Sequence, residues 1–203
     1  MKNSLFISFL ALVLSSCSKF ICVSPNLDYK GTKDAFPGLF GSNSVRKFQT
    51  TIKYRSAEMT GIMIVKKLDD THTAGSFVNE FGIKGFDFRI SPDRVEFSYL
   101  INKLDKWYIR RSLGNDLHFL FLRPEMKYYC SVDGKPAMVN KISHSLTFVF
   151  FISGEPRSAK AEMLKRNHKY ALLEQSDRND DMIILRMQHV DGSISYELNE
   201  FNN

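Results

Sequence analysis

Cys17 carries the most specific chemistry in this chain. It follows Leu14-Ser15-Ser16, and small residues there give a peptidase room to close on the backbone. A thiol at that place is a nucleophile that can take up diacylglycerol before the bond ahead of it is cut. Upstream lie Lys2 and an apolar run from Leu5 to Leu14, broken only by Ser8. The run is too short to cross a bilayer and reads as the hydrophobic core of a cleaved export segment. The expectation is removal of residues 1–16 and a lipid on Cys17. An ordinary export segment that happens to end near a cysteine is the alternative. Ser18 follows instead of an aspartate, which points to the outer membrane.

The other residue types that do chemistry are scattered. His72, His118, His144, His168 and His189 form no pair at metal-ligand spacing, so no metal is expected. There is no Gly-x-Ser-x-Gly elbow and no glycine loop to cradle a phosphate. The run Asp177-Arg178-Asn179-Asp180-Asp181 looks like a calcium loop, but Met182 stands where glycine is needed and Gln188 where a bidentate glutamate is needed. It reads as a polar hairpin tip. No catalytic residue and no cofactor are predicted, although a site assembled from distant residues would escape such a search. Beyond Cys17, Cys22 and Cys130 either pair in an oxidising compartment or leave Cys130 as a buried free thiol among aromatics.

The chain of 203 residues leaves 187 after loss of the first 16, enough for one domain and a tether. Net charge falls from +6 to +5 when Lys2 leaves. A mildly basic surface favours anionic lipid, but the Lys and Arg are spread singly, which argues against nucleic acid.

These groups must be held by strands. Residues 17–44 are irregular, broken by Pro25, Pro37, Gly31, Gly38 and Gly41, and read as a lipidated tether. From residue 45 the pattern alternates. Phe48, Thr50, Ile52 and Tyr54 share a face opposite Lys47, Thr51, Lys53 and Arg55, and Phe86, Phe88 and Ile90 alternate with Asp87 and Arg89. Asp133-Gly134 and Asp191-Gly192 mark hairpins. One helical stretch is expected from Lys103 to Leu122, with Leu104, Trp107 and Tyr108 at helical spacing, a stop at Gly114 and a second short helix after it. About eleven antiparallel strands with one short helical insertion cannot lie flat. The prediction is mainly β: a curled, unclosed half-barrel domain over 45–203.

The N-terminal segment resembles bacterial lipoprotein signals over its whole length. The stretch from Met59-Thr60-Gly61-Ile62-Met63-Ile64-Val65-Lys66 to Ser91 resembles the front half of the LolA/LolB-type lipoprotein carriers: a strand starting near a glycine, a charged hairpin, and a strand ending in the loop Asn79-Glu80-Phe81-Gly82-Ile83. An acid-and-apolar strand, Gly85 to Ile90, comes after it. The chain departs from that family in lacking an amphipathic helix between tether and first strand. The resemblance implies an open barrel whose concave face holds acyl chains beneath helical lids. The lipid anchor makes the chain similar to the LolB-type receptor, on the outer membrane and facing the periplasm.

Its implied acyl-chain cavity residues are Ile52, Tyr54, Ile62, Ile64, Phe86, Phe88, Val95 and Phe97. Leu104, Trp107 and Tyr108 are the implied lid, and Phe81 with Gly82 the implied membrane-inserting loop. Its implied partners are lipoprotein acyl chains or other lipid cargo, and a soluble periplasmic carrier. The residues themselves leave alternatives open. The 17 Phe and 8 Tyr line a cavity or fill a solid core, and Phe81 either projects or folds back as a plug. A non-catalytic scaffold lipoprotein of an envelope complex is the second reading, and an envelope hydrolase with an unrecognised site the third.

Overall fold

A computed structural model describes residues 20–23, 45–69, 71–121, 128–132, 135–151, 158–179 and 182–201. Thirteen strands form one sheet. In chain order they are β1 (Phe20–Val23), β2 (Val45–Tyr54), β3 (Ala57–Lys67), β4 (Thr73–Asn79), β5 (Lys84–Ile90) and β6 (Val95–Leu100). The helix α1 (Trp107–Phe121) follows. Then come β7 (Tyr128–Val132), β8 (Lys135–Ser143), β9 (Leu146–Phe151), β10 (Ser158–Lys165), β11 (His168–Asn179), β12 (Met182–His189) and β13 (Ile194–Glu200). The spatial order is β1-β7-β8-β9-β10-β11-β12-β13-β2-β3-β4-β5-β6. Every pairing is antiparallel, so two hairpin meanders join where β13 meets β2. β1 and β6 do not pair with each other, and the sheet stays open.

The helix shows how far the sheet curls. Phe119 packs on Phe148 of β9, at 4.9 Å between ring centroids, and Phe121 stacks on Phe88 of β5 at 5.9 Å. β9 and β5 are eight steps apart in the sheet order. Laid flat, that is about 38 Å at ~4.8 Å per strand. Two side chains two residues apart touch both, so the sheet wraps around α1. From Leu113 onwards most of the helix is buried, including Leu117, Phe119, Leu120 and Phe121. A helix segment buried on all sides belongs inside a core, where its polar Asp116 and His118 each find a hydrogen-bond partner.

The C-terminal half of α1 fills the hollow of the half-barrel. The expected stop at Gly114 is corrected. The helix runs through that residue. Gly114 lies where an added Cβ would sit 3.7 Å from Phe97 and Val95 of β6. A mid-helix glycine costs about 1 kcal/mol, far less than the burial of the aromatics beyond it contributes.

Alternation sets the faces of β2 and β5 as expected, with Phe48, Ile52, Phe86, Phe88 and Ile90 inside. Gly75 lies opposite Phe88 in register, and a Cβ there would collide with the Phe88 ring, so the glycine lets that ring lie across β4. The expected tether over 17–44 contains β1, which pairs with β7. Cys130 on β7 is in a disulfide, and Cys22 stands opposite it in register. The Asp133-Gly134 turn lies outside the described residues, as do Asp180 and Asp181 of the polar tip.

Candidate functional site at one rim of the half-barrel

Antiparallel strands bring every second turn to the same end. One rim collects the β2–β3 turn at Arg55-Ser56, the β4–β5 turn at 80–83, the loop leading into α1, and the β12–β13 turn at 190–193. Arg55 N–H donates to Ser193 O at 2.9 Å, and Glu80 N–H to Thr60 O at 3.1 Å. An apolar pocket of about 250 Å³ opens at this rim between α1 and the walls of β2, β3, β5 and β13. Ile52, Tyr54, Met59 and Phe86 form the sheet side, Leu104, Tyr108, Ile109 and Leu113 the helix side, and Ile194 and Tyr196 close the third side.

Local sequence explains the rim. Gly82 holds φ +76°, the left-handed turn position that Cβ-bearing residues avoid. Asn79 caps the loop, its side-chain oxygen accepting from the N–H of Phe81 at 3.0 Å and of Ile83 at 2.8 Å. With the turn fixed this way, Phe81 is 79% exposed. Trp107, at the first turn of α1, is 76% exposed and meets Tyr108 edge-on at 6.0 Å. Tyr54, Ile83, Tyr108 and Val190 are the other exposed large apolar residues here. Among the described residues of the opposite rim, only Val45 and Leu68 are comparable. The turns there are closed by aspartates. Asp69 accepts from the N–H groups of Thr71 and His72 at 2.7 and 2.8 Å, which holds its carboxyl well below the usual range.

Behind the apolar pocket wall lies a buried polar network to which no sequence signal pointed. Asp116 is fully buried on α1. His189 Nε2 lies 3.0 Å from its Oδ1, and the Tyr196 hydroxyl donates to its Oδ2 at 2.8 Å. Burial pushes the Tyr196 phenol well above its ordinary range, and the Asp116 charge adds to the effect. One helical turn earlier, Ser112 hydrogen-bonds Tyr170, whose ring lies 4.5 Å from that of His189. Two strands and the helix are thus tied by one buried network. Such a network is well satisfied only when all three are in place.

The expected cavity residues divide. Ile52, Tyr54 and Phe86 line the pocket, with Leu104 and Tyr108 of the expected lid. Phe88 is core against α1, and Val95 and Phe97 pack against that core. Ile62 and Ile64 are 45% and 41% exposed on the convex face, because Met63 and Val65 take the inner positions of β3. Trp107 stands beside the mouth, not over it. Sequence reasoning missed Met59, Ile109, Leu113, Ile194 and Tyr196. Ile109 and Leu113 are an i, i+4 pair, a pattern that marks one helix face. Among the described residues no three His, Cys, Asp or Glu gather to hold a metal, and no helix is long and apolar enough to cross a membrane.

The fold and site define an open antiparallel half-barrel with a helix in its hollow and an apolar pocket at an aromatic rim. No protein family matches the chain, and no curated protein matches it significantly. Among solved structures it is similar to that of a proposed outer membrane lipoprotein-sorting protein domain from Vibrio parahaemolyticus, at 13% identity and a TM-score of 0.45, covering 84% of this chain and 87% of the other.

Proposed function

We propose that this chain is a non-catalytic, lipid-anchored outer-membrane protein of the LolB-like kind, which holds acyl chains in the rim pocket and receives or inserts lipoproteins. The observation that carries the reading is the apolar pocket opening beside exposed Phe81, Trp107 and Tyr108. Large apolar side chains left in water at a pocket mouth call for a partner surface. In this reading Phe81, carried by the turn at Gly82, dips into a bilayer interface, and the lipid on Cys17 keeps the protein at the membrane. A soluble periplasmic carrier is the partner that delivers cargo.

A fluorescent fatty-acyl probe, titrated into protein purified without detergent, tests the reading. The probe is expected to bind one site and to be displaced by natural lipid. Leu104→Glu, in the half-buried pocket wall, should abolish binding, and Ile62→Glu on the convex face should leave it unchanged. No saturable binding by the parent protein would sink the proposal. One observation favours the second reading, a scaffold lipoprotein of an envelope complex: α1 occupies most of the hollow. Probe-blind protein that still binds an envelope partner through the rim would establish it.

A further inference from the structure

We propose that the rim pocket takes the single acyl chain of an anionic amphiphile, tail first, and not the chains of a multi-chain lipid together. The inference rests on the reading of the pocket as an acyl site and adds the ligand class. Three observations on the page carry it.

The first is capacity. An apolar cavity of about 150 Å³ holds a benzene-sized ligand. By that measure 250 Å³ accepts a segment of roughly ten carbons. Deeper space is already taken, since Leu117, Phe119 and Phe121 occupy the hollow that a second chain would need.

The second is the direction of entry. The less exposed polar groups in the pocket wall are turned elsewhere: the Tyr196 hydroxyl donates to Asp116 at 2.8 Å, and Ser112 bonds Tyr170, while Tyr54 and Tyr108 are exposed. A headgroup driven to the floor would lose its water and gain no partner. The apolar end therefore goes in and the headgroup stays at the mouth.

The third is charge at that mouth. Arg55 sits 5.5 Å above the ring of Tyr54, a pocket residue, and holds φ +53° in its two-residue turn, a conformation rare for a side-chain-bearing residue. Lys103 and Lys106 flank Leu104, another pocket residue. Of this rim's carboxylates, Glu58 pairs with Lys53 at 3.3 Å and Asp105 with Arg110 at 2.8 Å, while Asp191 and Glu80 accept from the neutral hydroxyls of Ser193 and Thr60, leaving two carboxylates against three cations. Arg55, Lys103 and Lys106 have no ion-pair partner among the described residues, so the mouth favours an anion. The acid can be the carboxylate of a free fatty acid or the phosphate of a one-chain phospholipid.

Trp107 is the only tryptophan and stands at the mouth, so its emission reports occupancy. Four ligands are titrated below their aggregation limits: decanoate, decanoyl lysophosphatidylglycerol, decanol and didecanoyl phosphatidylglycerol. One or both anionic single-chain ligands should bind one to one, about tenfold tighter than decanol, and whichever is tighter identifies the source of the acid. The two-chain lipid should bind no tighter than its one-chain counterpart. The double substitution Arg55→Glu, Lys106→Glu should remove the tenfold preference while leaving decanol affinity unchanged, and that unchanged affinity shows the pocket intact. Decanol binding as tightly as decanoate and the lysolipid, or the two-chain lipid binding tighter than either, overturns the inference and leaves the acyl site standing. Silence from all four, with the fluorescent probe also unbound, removes the acyl site itself.

Discussion

The two halves of α1 are one continuous helix placed in two solvents. Its first turns, from Trp107 to Arg111, sit on the rim and carry exposed aromatic and basic side chains. Its last turns, from Leu113 to Phe121, are enclosed by the sheet. Ordinarily a helix at a sheet face divides lengthwise into a wet stripe and a dry one. Here the division falls across the axis instead. The buried half holds the helix and the exposed half forms the pocket wall, so the wall can change with little effect on stability while the buried half cannot. The buried network at Asp116 lies just inside the division.

The largest expected effect comes from breaking the buried half. Asp116→Ala strands His189 and Tyr196 without their shared acceptor, which costs about 3–5 kcal/mol. For a chain of this size that is a fall in melting temperature of roughly 6–20 °C, measurable by calorimetry. A change of under a few degrees would show that the network is not what holds α1.

Acid should act next. His118 is buried against Phe148 with its ring nitrogen 3.1 Å from the Ser91 carbonyl. Burial pulls its pKa from 6.5 to about 4. The unfolded chain therefore binds a proton that the folded chain refuses between those values. The stability tied to a neutral His118 is complete above pH 6.5 and declines as pH falls towards 4, by up to about 3 kcal/mol. Urea unfolding at pH 7 and pH 4.5 should reveal the loss, and His118→Gln should flatten it. An equal pH slope in the variant would assign the effect elsewhere.

The exposed half should be nearly silent in stability and loud in function. Trp107→Ala and Phe81→Glu are each expected to change unfolding free energy by no more than about 0.5 kcal/mol, as exposed positions do. In a Cys17→Ala background, which removes the proposed lipid anchor, each should weaken partition onto anionic vesicles in a sedimentation assay. Unchanged partition for both would separate the rim from any membrane role.

How much of this was legible depended on whether charge marked one face. In β5, Asp87 and Arg89 fix the outer positions, and Phe86, Phe88 and Ile90 follow inside. In β3 the run Gly61-Ile62-Met63-Ile64-Val65 is apolar at every position, so alternation alone leaves the parity undefined, and Ile62 and Ile64 were assigned to the wrong side. The turn around Phe81 was legible because it is local, dictated by Asn79 and Gly82. The sequence left open whether Phe81 projects, as its 79% exposure shows it does. β1 had no local signal, since its partner β7 lies more than a hundred residues away. The same is true of the buried network, whose members are 73 and 80 positions apart. Proximity of that kind exists only once the sheet has closed around the helix.

The short strand β1 fixes the end at which the chain enters the sheet. Phe20 pairs with Val132 and Val23 with Tyr129, so the chain enters β1 from the end of the sheet opposite the pocket mouth. In the sequence Cys17 precedes Phe20 by three residues. β8, nine residues long, spans about 30 Å between the two rims. The start of β1 and the turn that carries Phe81 therefore lie at opposite ends of the sheet. A membrane held at the start of β1, as the proposed anchor would hold it, meets both ends only when the strands recline along its surface. Standing upright on such an anchor would lift the mouth some 30 Å clear and offer it to whatever arrives through the water.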